Sequence, residues 1–414
     1  MTDEKVPECR FCGLPLSTTF ADLGMSPPCE NFLTHDQLNH VEHFYPLHVR
    51  VCSGCFLVQL EEYVSAEEIF TEYAYFSSYS TSWIEHARQY VEMIIPRLGL
   101  DKDSLAVELA SNDGYLLQHF LPHGVPVLGI EPAKNVAAVA IEQGIDTRVE
   151  FFGEESAHRL RQDGKRADVI IGNNVFAQVP DLNDFVRGMK ILLSEKGVVT
   201  LEFPHLLRLI DENQFDTIYH EHFSYFSLYT TVKIFQQHGM EVFDVQELPS
   251  HGGSLRIFAR HEDNSDLPIT DAVTSLLNVE AGAGITDLDY YRNFQARVIR
   301  TKHKLLKFLV QAKQDGKSIA GYGAPGKGNT MLNYAGIRED FLDYVVDRNP
   351  YKHGRFLPGT HIPIFDVDKI EATKPDYLLI LPWNLRKEIM EQTAYIRDWG
   401  GKHVVPIPEV KVFE

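Results

Sequence analysis

The sequence predicts an α/β protein in which two Rossmann-like folds follow a small N-terminal module. Three observations lead to this prediction: strand-like and helix-like segments alternate from residue 104 onward, two of the strands run into turns of small residues, and two CxxC pairs lie within the first 55 residues. Alternating strands and helices are typical of parallel doubly wound sheets. The length of 414 residues suits two or three domains of roughly 150 residues each.

The N-terminal module, expected over residues 1–75, carries a metal-binding pattern. Four of the five cysteines form two pairs in turn-like contexts: Cys9 with Cys12, and Cys52 with Cys55. In a reducing compartment, two such pairs are typical of four thiolates around one tetrahedral zinc ion. A redox CxxC motif and two unrelated cysteine pairs are the alternatives. A closed four-thiolate site has no open coordination position, so we expect a structural zinc, and we expect Cys29 to be a buried small residue.

The central domain is expected to occupy residues 76–262. Its first segment, residues 79–96, carries apolar side chains at spacings of three and four, which predicts a helix that Pro96 ends. From residue 104 the order is strand, small-residue turn, helix-like stretch and strand, and a later apolar strand lies in ADVIIGNNVF. This order predicts a parallel doubly wound sheet.

A turn after the first strand of this domain has the features of a cofactor site. The candidate binding residues end strands or line this turn: Glu108, Ala110, Asn112, Asp113, Gly114, Glu131, Asn173 and Asn174. A carboxylate such as Glu131, at the tip of the second strand, can accept hydrogen bonds from ribose hydroxyls in NAD or in S-adenosylmethionine. The single glycine and the acidic Asp113 disfavour a diphosphate, and the acidic pair Glu108 and Asp113 suits a sulfonium and an amino group. We therefore expect S-adenosylmethionine, with an incidental acidic turn as the alternative.

The C-terminal domain, expected over residues 263–414, is predicted to be a second Rossmann-like α/β fold. A helix-rich stretch that ends at Gly316 precedes a strand, a glycine-rich loop and a helix in KSIAGYGAPGKGNTMLNYAG. The loop has the spacing G-x-x-x-x-G-K but lacks the Ser or Thr hydroxyl that binds magnesium in nucleoside triphosphatases. We expect the loop and Lys327 to hold a diphosphate at the helix N-terminus. Asp347 ends the next strand and is a candidate for polar contacts or for a structural turn.

Residues 215–225, FDTIYHEHFSY, place two imidazoles, two carboxylates and two phenols within eleven residues, which indicates an active site. An extended conformation would place His220 and His222 on one face and Glu221 on the other. A helical conformation would place Tyr219 next to His222 instead. Metal binding by the two histidines and a purely structural aromatic corner are the alternatives.

The composition limits the partners. The formal net charge of -19 disfavours binding to nucleic acid. No apolar run approaches the roughly 20 residues that cross a bilayer, and the polar N-terminus lacks the apolar stretch of a signal peptide. We expect a cytoplasmic monomer that binds neither nucleic acid nor membrane.

Several motifs together resemble the zinc-containing, S-adenosylmethionine-dependent nucleotide-sugar C-methyltransferases, which build branched deoxysugars, as in antibiotic biosynthesis. The resemblance runs nearly end to end. It rests on the paired cysteines and on six segments: YFSSYS (75–80), VELASNDGYLL (107–117), NNVFAQVPDL (173–182), FDTIYHEHFSYFSL (215–228), HGGSLR (251–256) and GYGAPGKGNT (321–330). It implies a zinc module, a central methyltransferase domain and a C-terminal domain that helps to hold the nucleotide-sugar.

The resemblance also implies roles for individual residues. It makes His222 the general base, with Tyr219 and Glu221 as orienting and hydrogen-bonding groups, and it adds His220 and Gln178 to the catalytic group. The implied substrate-binding residues are Phe76, Tyr79, Tyr322, Gly323, Lys327, Gly328 and Asn329. Two positions depart from the family pattern. Gln178 stands where the family usually carries a histidine, and Phe76 stands where we expect a tyrosine. These departures leave the identity of the sugar open.

The leading hypothesis is methyl transfer to C3 of a nucleotide-linked 4-keto-6-deoxyhexose, with dTDP as the expected nucleotide. A carbon beside a ketone becomes nucleophilic as an enolate, and histidine suits the proton removal near pH 7. An NAD-dependent nucleotide-sugar oxidoreductase or epimerase and a catalytically silent nucleotide-sugar binding protein are the alternatives.

Overall fold

The computed structural model describes residues 6–70 and 76–414, so the domain boundary expected at residue 75 and the first residue of YFSSYS lie outside the described residues. The strands are β1 (Thr18–Ser26), β2 (Tyr45–Val51), β3 (Val58–Leu60), β4 (Ala106–Leu109), β5 (Val127–Ile130), β6 (Thr147–Arg148), β7 (Ala167–Asn173), β8 (Leu193–Pro204), β9 (Ser224–Tyr225), β10 (Met240–Leu248), β11 (Ser254–His261), β12 (Ile319–Tyr322), β13 (Tyr344–Val346), β14 (Ile364–Phe365), β15 (Tyr377–Ile380), β16 (Lys402–Val405) and β17 (Lys411–Phe413). The helices are α1 (Ala66–Phe70), α2 (Thr81–Leu98), α3 (Lys134–Glu142), α4 (Glu154–Gln162), α5 (Leu182–Leu192), α6 (Leu206–Asp211), α7 (Leu228–Gln237), α8 (Asp271–Ala283), α9 (Leu288–Arg292), α10 (Phe294–Gln314), α11 (Gly326–Ala335), α12 (Lys369–Thr373) and α13 (Arg386–Gln392).

The chain forms two compact units whose segments alternate along the sequence. Unit 1 contains the described residues of Met1–Ser17, Val51–Leu206 and Phe223–Leu288, and unit 2 contains Thr18–Arg50, Leu207–His222 and Asp289–Glu414. The polypeptide therefore enters unit 2 twice before its C-terminal part. This grouping follows contacts in space, and the division into residues 1–75, 76–262 and 263–414 stays a prediction.

Unit 1 is built on a seven-stranded sheet in the order β10-β11-β8-β7-β4-β5-β6. The pairs β4–β5, β4–β7, β5–β6 and β7–β8 are parallel, whereas β8–β11 and β11–β10 are antiparallel. The predicted parallel sheet is thus extended by an antiparallel hairpin at one edge. Because strand order reverses at β4, the carboxyl ends of β4 and β7 form the position where ligands bind in open α/β sheets.

Alternating side chains of the sheet in unit 1 face two separate apolar layers. Val107 of β4 and Ile170 of β7 lie in one buried cluster, and Ala106 and Ile171 of the same strands lie in the other. A strand buried on both faces needs helices on both sides. This packing confirms the doubly wound architecture.

Helix α2 runs further than the sequence suggested. Its buried side chains include Ala87, Tyr90, Val91 and Ile94, as the three- and four-residue spacing predicts. The expectation that Pro96 ends the helix was wrong, because Pro96 removes only one backbone donor near the end of the last turn. Gly99, with φ 65, ends the helix in the left-handed region.

Unit 2 contains a six-stranded sheet in the order β14-β13-β12-β15-β16-β17. Its pairs are parallel except β16–β17, and β12 lies between β13 and β15, so strand order reverses at β12. Gly316, with φ 70, follows α10 and donates to the carbonyl of Lys313 at 3.0 Å, which confirms it as a helix stop. The N-terminal strands β1 and β2 of this unit are neighbours in a further sheet.

Within the described residues, we find no helix that combines the length and the apolar character needed to span a membrane.

Candidate active site

The four paired cysteines of unit 1 converge on one point. Their Sγ atoms all lie within 4.8 Å of one another, and the Cys9–Cys55 and Cys12–Cys52 separations are both 3.5 Å. A zinc ion bonded to four sulfurs at about 2.3 Å places them roughly 3.8 Å apart in a tetrahedron. The donor set and its spacing fit zinc. Among residues 6–70 and 76–414, this is the one group of three or more Cys, His, Asp or Glu side chains arranged to hold a metal.

Hydrogen bonds from the surrounding chain fix the two cysteine pairs. Gln59 Nε2 donates to Cys9 Sγ at 3.1 Å, and the Gly54 amide donates to Cys52 Sγ at 3.4 Å. The Thr230 hydroxyl donates to the carbonyl oxygen of Cys55 at 3.1 Å. Such outer contacts orient metal ligands and stabilise thiolate charge.

The predicted cofactor turn follows β4 and has an unusual backbone. Ala110 and Asn112 have φ 54 and 50, and Gly114 has φ 79. Left-handed backbone at non-glycine residues costs free energy and is concentrated at functional sites. At Gly114 an added Cβ would lie 2.3 Å from Ile145 Cδ1 and 3.2 Å from Ala140 Cβ, so a side chain here would displace Ile145 as well as strain the backbone.

Glu131, at the end of β5, holds this turn in place. Its Oε2 accepts a hydrogen bond from the Asn112 amide at 2.9 Å, and its Oε1 accepts one from the Ala133 amide at 2.8 Å. Burial raises the pKa of Glu131 to about 6, although the two amides favour the ionised form. Each carboxylate oxygen can accept a second hydrogen bond, so a ribose hydroxyl can still bind here.

Buried polar atoms without partners surround the carboxyl ends of β4 and β7. Among the residues that the structure describes, hydrogen bonds of normal geometry are missing for both oxygens of Glu108, Ser111 Oγ, Asp113 Oδ1, Asn173 Nδ2 and Asn174 Oδ1. Burial raises the pKa of Glu108 well above its ordinary value, against a smaller opposing effect of the Tyr115 hydroxyl. Buried polar groups require partners, and most of these atoms are acceptors. They fit a ligand rich in donors and positive charge, as S-adenosylmethionine is.

The segment YFSSYS lies against the same turn. The Ser77 amide donates to Asn112 Oδ1 at 2.9 Å, and the Ser78 amide donates to Asp113 Oδ2 at 3.1 Å. The rings of Phe76 and Tyr79 lie 5.6 Å apart, and Tyr79 is 56% exposed. The backbone of this segment therefore fixes the acidic turn, a role that its sequence alone did not indicate.

Gln178 lies at the end of a short 3-10 helix, Phe176–Gln178, that follows β7 in unit 1. Its amide donates to the carbonyl of Val175 at 2.8 Å. The position where the family pattern carries a histidine therefore follows closely after Asn173 and Asn174.

The histidine cluster belongs to unit 2 and forms a tight turn. A 3-10 helix, Phe215–Thr217, precedes it, and the His222 amide donates to the carbonyl of Tyr219 at 2.9 Å. The rings of Tyr219 and His222 lie 4.1 Å apart. The turn thus joins the two residues that the helical alternative would have paired.

The two histidines of this turn have different surroundings. Nδ1 of His222 donates to the carbonyl of Thr217 at 3.0 Å, and His222 is buried. Nε2 of His220 instead donates to the carbonyl of Pro46 at 3.3 Å, and burial lowers the pKa of His220. Between them, Glu221 is buried and its Oε1 lies 3.6 Å from Sγ of Cys29. Cys29 is 3% exposed, which confirms the expected small buried residue.

The glycine-rich loop of unit 2 follows β12 and is held by charged neighbours. Asp347 Oδ2 accepts the Ala324 amide at 2.7 Å, so Asp347 shapes the loop. Lys352 Nζ donates to the Ala324 carbonyl at 2.8 Å and lies 3.5 Å from the Glu30 carboxylate. Glu30 also accepts a hydrogen bond from the Gly326 amide at the start of α11. Gly323 has φ 88, and an added Cβ there would lie 2.6 Å from Pro382 Cδ.

The other predicted substrate-binding residues of unit 2 lie on either side of this loop. The Tyr322 hydroxyl donates to Gln392 Oε1 at 3.3 Å, and burial raises the pKa of Tyr322 to about 12. Asn329 Nδ2 donates to the carbonyl of Cys29 at 2.5 Å. Gly328 packs against Leu381, to which an added Cβ would come within 3.1 Å.

Lys327 and Asp216 share a buried site in unit 2 with Trp383 and Asn384. Lys327 Nζ donates to Asn384 Oδ1 at 3.0 Å and lies 5.0 Å from the centroid of the Trp383 ring. Trp383 Nε1 donates to Asp216 Oδ2 at 2.7 Å. Burial raises the pKa of Asp216 to about 7, against the opposing charge of Lys327, whose own pKa is lowered by burial. Sequence reasoning gave no role to Asp216, although it lies in the motif that identified the cluster.

Three family models match consecutive parts of the chain: a zinc binding domain over residues 9–70, a methyltransferase domain over residues 83–245, and a C-methyltransferase C-terminal domain over residues 249–408. The chain is 35% identical over 407 residues to C-methyltransferase NovU of Streptomyces niveus, across 98% of this chain and 97% of that protein.

Two solved structures share weaker similarity with parts of this chain. One is a SAM-dependent methyltransferase from Anabaena variabilis, with 17% identity over 41% of this chain and 83% of that one, and a TM-score of 0.34. The other is magnesium protoporphyrin IX methyltransferase from Synechocystis, with 14% identity over 43% of this chain and 80% of that one, and a TM-score of 0.32. The assignment depends on the family models and on the relative from Streptomyces. The chain belongs to the S-adenosylmethionine-dependent C-methyltransferases that carry an N-terminal zinc-binding domain.

Proposed function

We propose that this enzyme transfers a methyl group from S-adenosylmethionine to C3 of a dTDP-linked 4-keto-6-deoxyhexose, as a cytoplasmic monomer in deoxysugar biosynthesis. Methylation at carbon requires a carbon nucleophile. The C4 ketone of such a sugar makes the C3 proton removable and stores the resulting charge on an enolate oxygen. The protein must then supply a base for the C3 proton and donors for that oxygen.

The observation that carries this proposal is the hydrogen bond between His222 Nδ1 and the Thr217 carbonyl. A carbonyl oxygen only accepts, so the proton of the neutral imidazole resides on Nδ1 and the lone pair on Nε2. In this tautomer Nε2 is the nitrogen that can take the C3 proton. The backbone of the same turn fixes this tautomer, and contact with Tyr219 limits rotation of the ring.

Three neighbours of His222 receive supporting roles. Tyr219 packs on the imidazole and orients it, and its phenol is the proposed donor to the enolate oxygen. Glu221, buried beside Cys29, is the proposed hydrogen-bonding partner that orients the sugar. His220 donates to the backbone of Pro46 and is assigned to holding the turn.

The methyl donor is assigned to the turn after β4, where Glu131 binds the ribose and the acidic side chains of Glu108 and Asp113 face the cationic amino acid end. The donor supplies an electrophilic methyl group. The chain's own residues hold it and exclude water, since the polar atoms at this turn are buried.

The diphosphate of the sugar nucleotide is assigned to the glycine-rich loop. Glu30 and Asp347 also border this loop, so an anion there depends on the positive charges of Lys327 and Lys352. Gln178 and Phe76, the two departures from the family pattern, are proposed to adapt the enzyme to its particular sugar.

The test measures proton exchange separately from methyl transfer. In heavy water, with S-adenosylhomocysteine replacing the methyl donor, the wild-type enzyme is expected to exchange the C3 proton of the sugar nucleotide. His222→Gln should abolish exchange and lower methyl transfer by about 100- to 10,000-fold, the usual contribution of a general base. It should leave binding of both ligands intact by calorimetry. His220→Gln is the matched control and should retain exchange. Exchange by His222→Gln at the wild-type rate would reject His222 as the base.

A further inference from the structure

The HGGSLR segment has no role in the function proposed above, yet unit 1 gives it a specific place. It begins in a one-turn 3-10 helix, Ser250–Gly252, and continues into β11. His251 has φ 53, in the left-handed region, which is uncommon for residues other than glycine even though His, Asn and Asp adopt it more often than other side chains. Strain of this kind persists only where neighbours impose it and is concentrated at functional sites.

A buried charged network holds this segment. Glu202 of β8 is fully buried and accepts hydrogen bonds from Arg256 Nη2 at 2.7 Å, the Ser250 hydroxyl at 2.7 Å and His86 Nε2 at 2.9 Å. Burial opposes ionisation of Glu202, but the hydrogen bond from His86 and the charge of Arg256 outweigh it and hold the pKa of Glu202 at about 2. An anion with three donors is costly to disturb, so Ser250 is a rigid anchor for the next residue.

His251 reaches from this anchor to the carboxyl end of β7. Its Nε2 lies 3.0 Å from Nδ2 of Asn174, and the edge of its ring packs on Trp83 at 5.2 Å between centroids. Trp83 in turn stacks on His86 at 4.8 Å, so the half-buried imidazole of His251 is linked to the charged network through Trp83. The side-chain nitrogen of Asn174 can only donate, so Nε2 of His251 accepts.

This hydrogen bond determines which way the Asn174 carboxamide points. Residue 174 is anchored by its own amide, which donates to the Glu202 carbonyl at 2.7 Å. With Nδ2 held by His251, Oδ1 points the other way, and it is buried with no partner among the described residues. It lies at the same sheet edge as the buried oxygens of Glu108 and Oδ1 of Asp113, which also need donors.

We propose that His251 is a positioning residue that orients the Asn174 carboxamide so that Oδ1 accepts a hydrogen bond from the α-ammonium group of the bound methyl donor. The inference depends on the proposed placement of S-adenosylmethionine at the ends of β4 and β7. The chemistry favours the ammonium, since most of the unpartnered atoms at this sheet edge are acceptors and three of them are carboxylate oxygens of Glu108 and Asp113. The HGGSLR segment thereby acquires a function at the methyl-donor site.

The experiment compares two ligands that differ at the amino acid end. S-adenosylhomocysteine carries the α-ammonium, whereas 5′-methylthioadenosine keeps the nucleoside and lacks the amino acid. His251→Gly and Asn174→Gly suit the positive φ of both positions. Each is expected to weaken calorimetric binding of S-adenosylhomocysteine by about 10- to 100-fold, the scale of a hydrogen bond to a charged group, and to leave 5′-methylthioadenosine binding unchanged.

Two further measurements separate positioning from a general structural effect. The double variant should bind S-adenosylhomocysteine no more weakly than Asn174→Gly alone, because His251 acts through Asn174. His251→Gln, whose amide oxygen can accept from Asn174 Nδ2, should bind S-adenosylhomocysteine with most of the affinity that His251→Gly loses. His261→Gln, at the far end of β11, is the control. Additive losses, or equal losses for the two ligands, would overturn the proposal.

The same titrations distinguish failure of the cofactor placement from failure of this inference. If Glu131→Ala leaves both ligands bound as tightly as in wild type, the placement of the nucleoside is wrong. If Glu131→Ala weakens both and His251→Gly weakens neither, the placement holds and the role of His251 is rejected.

Discussion

Replacing Asp216 with Asn should stabilise unit 2, and the gain should depend on pH. Asp216 is 0% exposed, and burial raises its pKa from 3.8 to about 7. The unfolded chain therefore releases this proton at lower pH than the folded protein does. Between these two pKa values the folded state binds more protons, so the free energy of unfolding falls as pH rises. This decrease in the free energy of unfolding ends once the pH exceeds the folded-state pKa of Asp216, about 7.

The magnitude follows from the shift. At about 1.4 kcal/mol per pKa unit, a shift of roughly three units costs about 4 kcal/mol above pH 7. Asn is nearly isosteric and its Oδ1 can still accept from Trp383. It carries no charge to pair with Lys327, so about 4 kcal/mol is a ceiling on the gain. From about pH 5.5 to about pH 8.5 the stability gained by Asp216→Asn should rise by about 2 kcal/mol. Only the interval below about pH 7 contributes, because above that pH Asp216 is ionised in both the folded and the unfolded state.

The assay is urea unfolding in excess zinc, with tryptophan fluorescence as the probe. Of the three tryptophans, Trp83 lies in unit 1 and the other two lie in unit 2, so a Trp83→Phe background reports unit 2 alone. Asp340→Asn, at an exposed carboxylate of the same unit, is the matched control and should show no such pH trend. A gain that is constant with pH, or that grows as pH falls, would refute the electrostatic reasoning.

Three further outcomes are expected. Purified protein should contain one zinc per chain, and Cys52→Ser should lose the metal and lower the unfolding temperature of unit 1; elemental analysis without zinc would contradict this. Glu131→Ala should weaken S-adenosylmethionine binding by about 1 to 3 kcal/mol, because the ribose and the Asn112 amide both lose an acceptor, and unchanged calorimetric affinity would reject the contact. Lys327→Ala should raise the KM for the sugar nucleotide more than it lowers kcat, whereas an unaltered KM would remove the diphosphate from this loop.

Local patterns in the sequence identified much of the architecture. Alternating strands and helices predicted both sheets, and the two CxxC pairs predicted the zinc cluster that the Sγ separations fit. Local patterns do not encode which strands pair, so the antiparallel edge formed by β10 and β11 was not anticipated. Pro96 was misjudged for a related reason, since the cost of a helical proline depends on how near the helix end it lies.

The candidate site could be identified by composition but not by geometry. Eleven residues with unusual chemistry marked the histidine turn, whereas its conformation depends on backbone hydrogen bonds that no spacing rule specifies. Asp216 and Trp383 are 167 residues apart in the chain, and the approach of one to the other has no local signal. The same holds for His251 and Asn174, separated by 77 residues.

The interleaving of the two units has a practical consequence for anyone who shortens this protein. The chain leaves unit 1 after Ser17 and returns at Val51, and the zinc ligands lie on either side of that excursion, at residues 9 to 12 and 52 to 55. Zinc therefore closes a loop that supplies β1, β2, Cys29 and Glu30 to unit 2. A variant that lacks residues 1–75 would lose the zinc ligands and also Cys29, whose thiol lies beside Glu221. The N-terminal zinc-binding segment therefore cannot be deleted without removing part of unit 2.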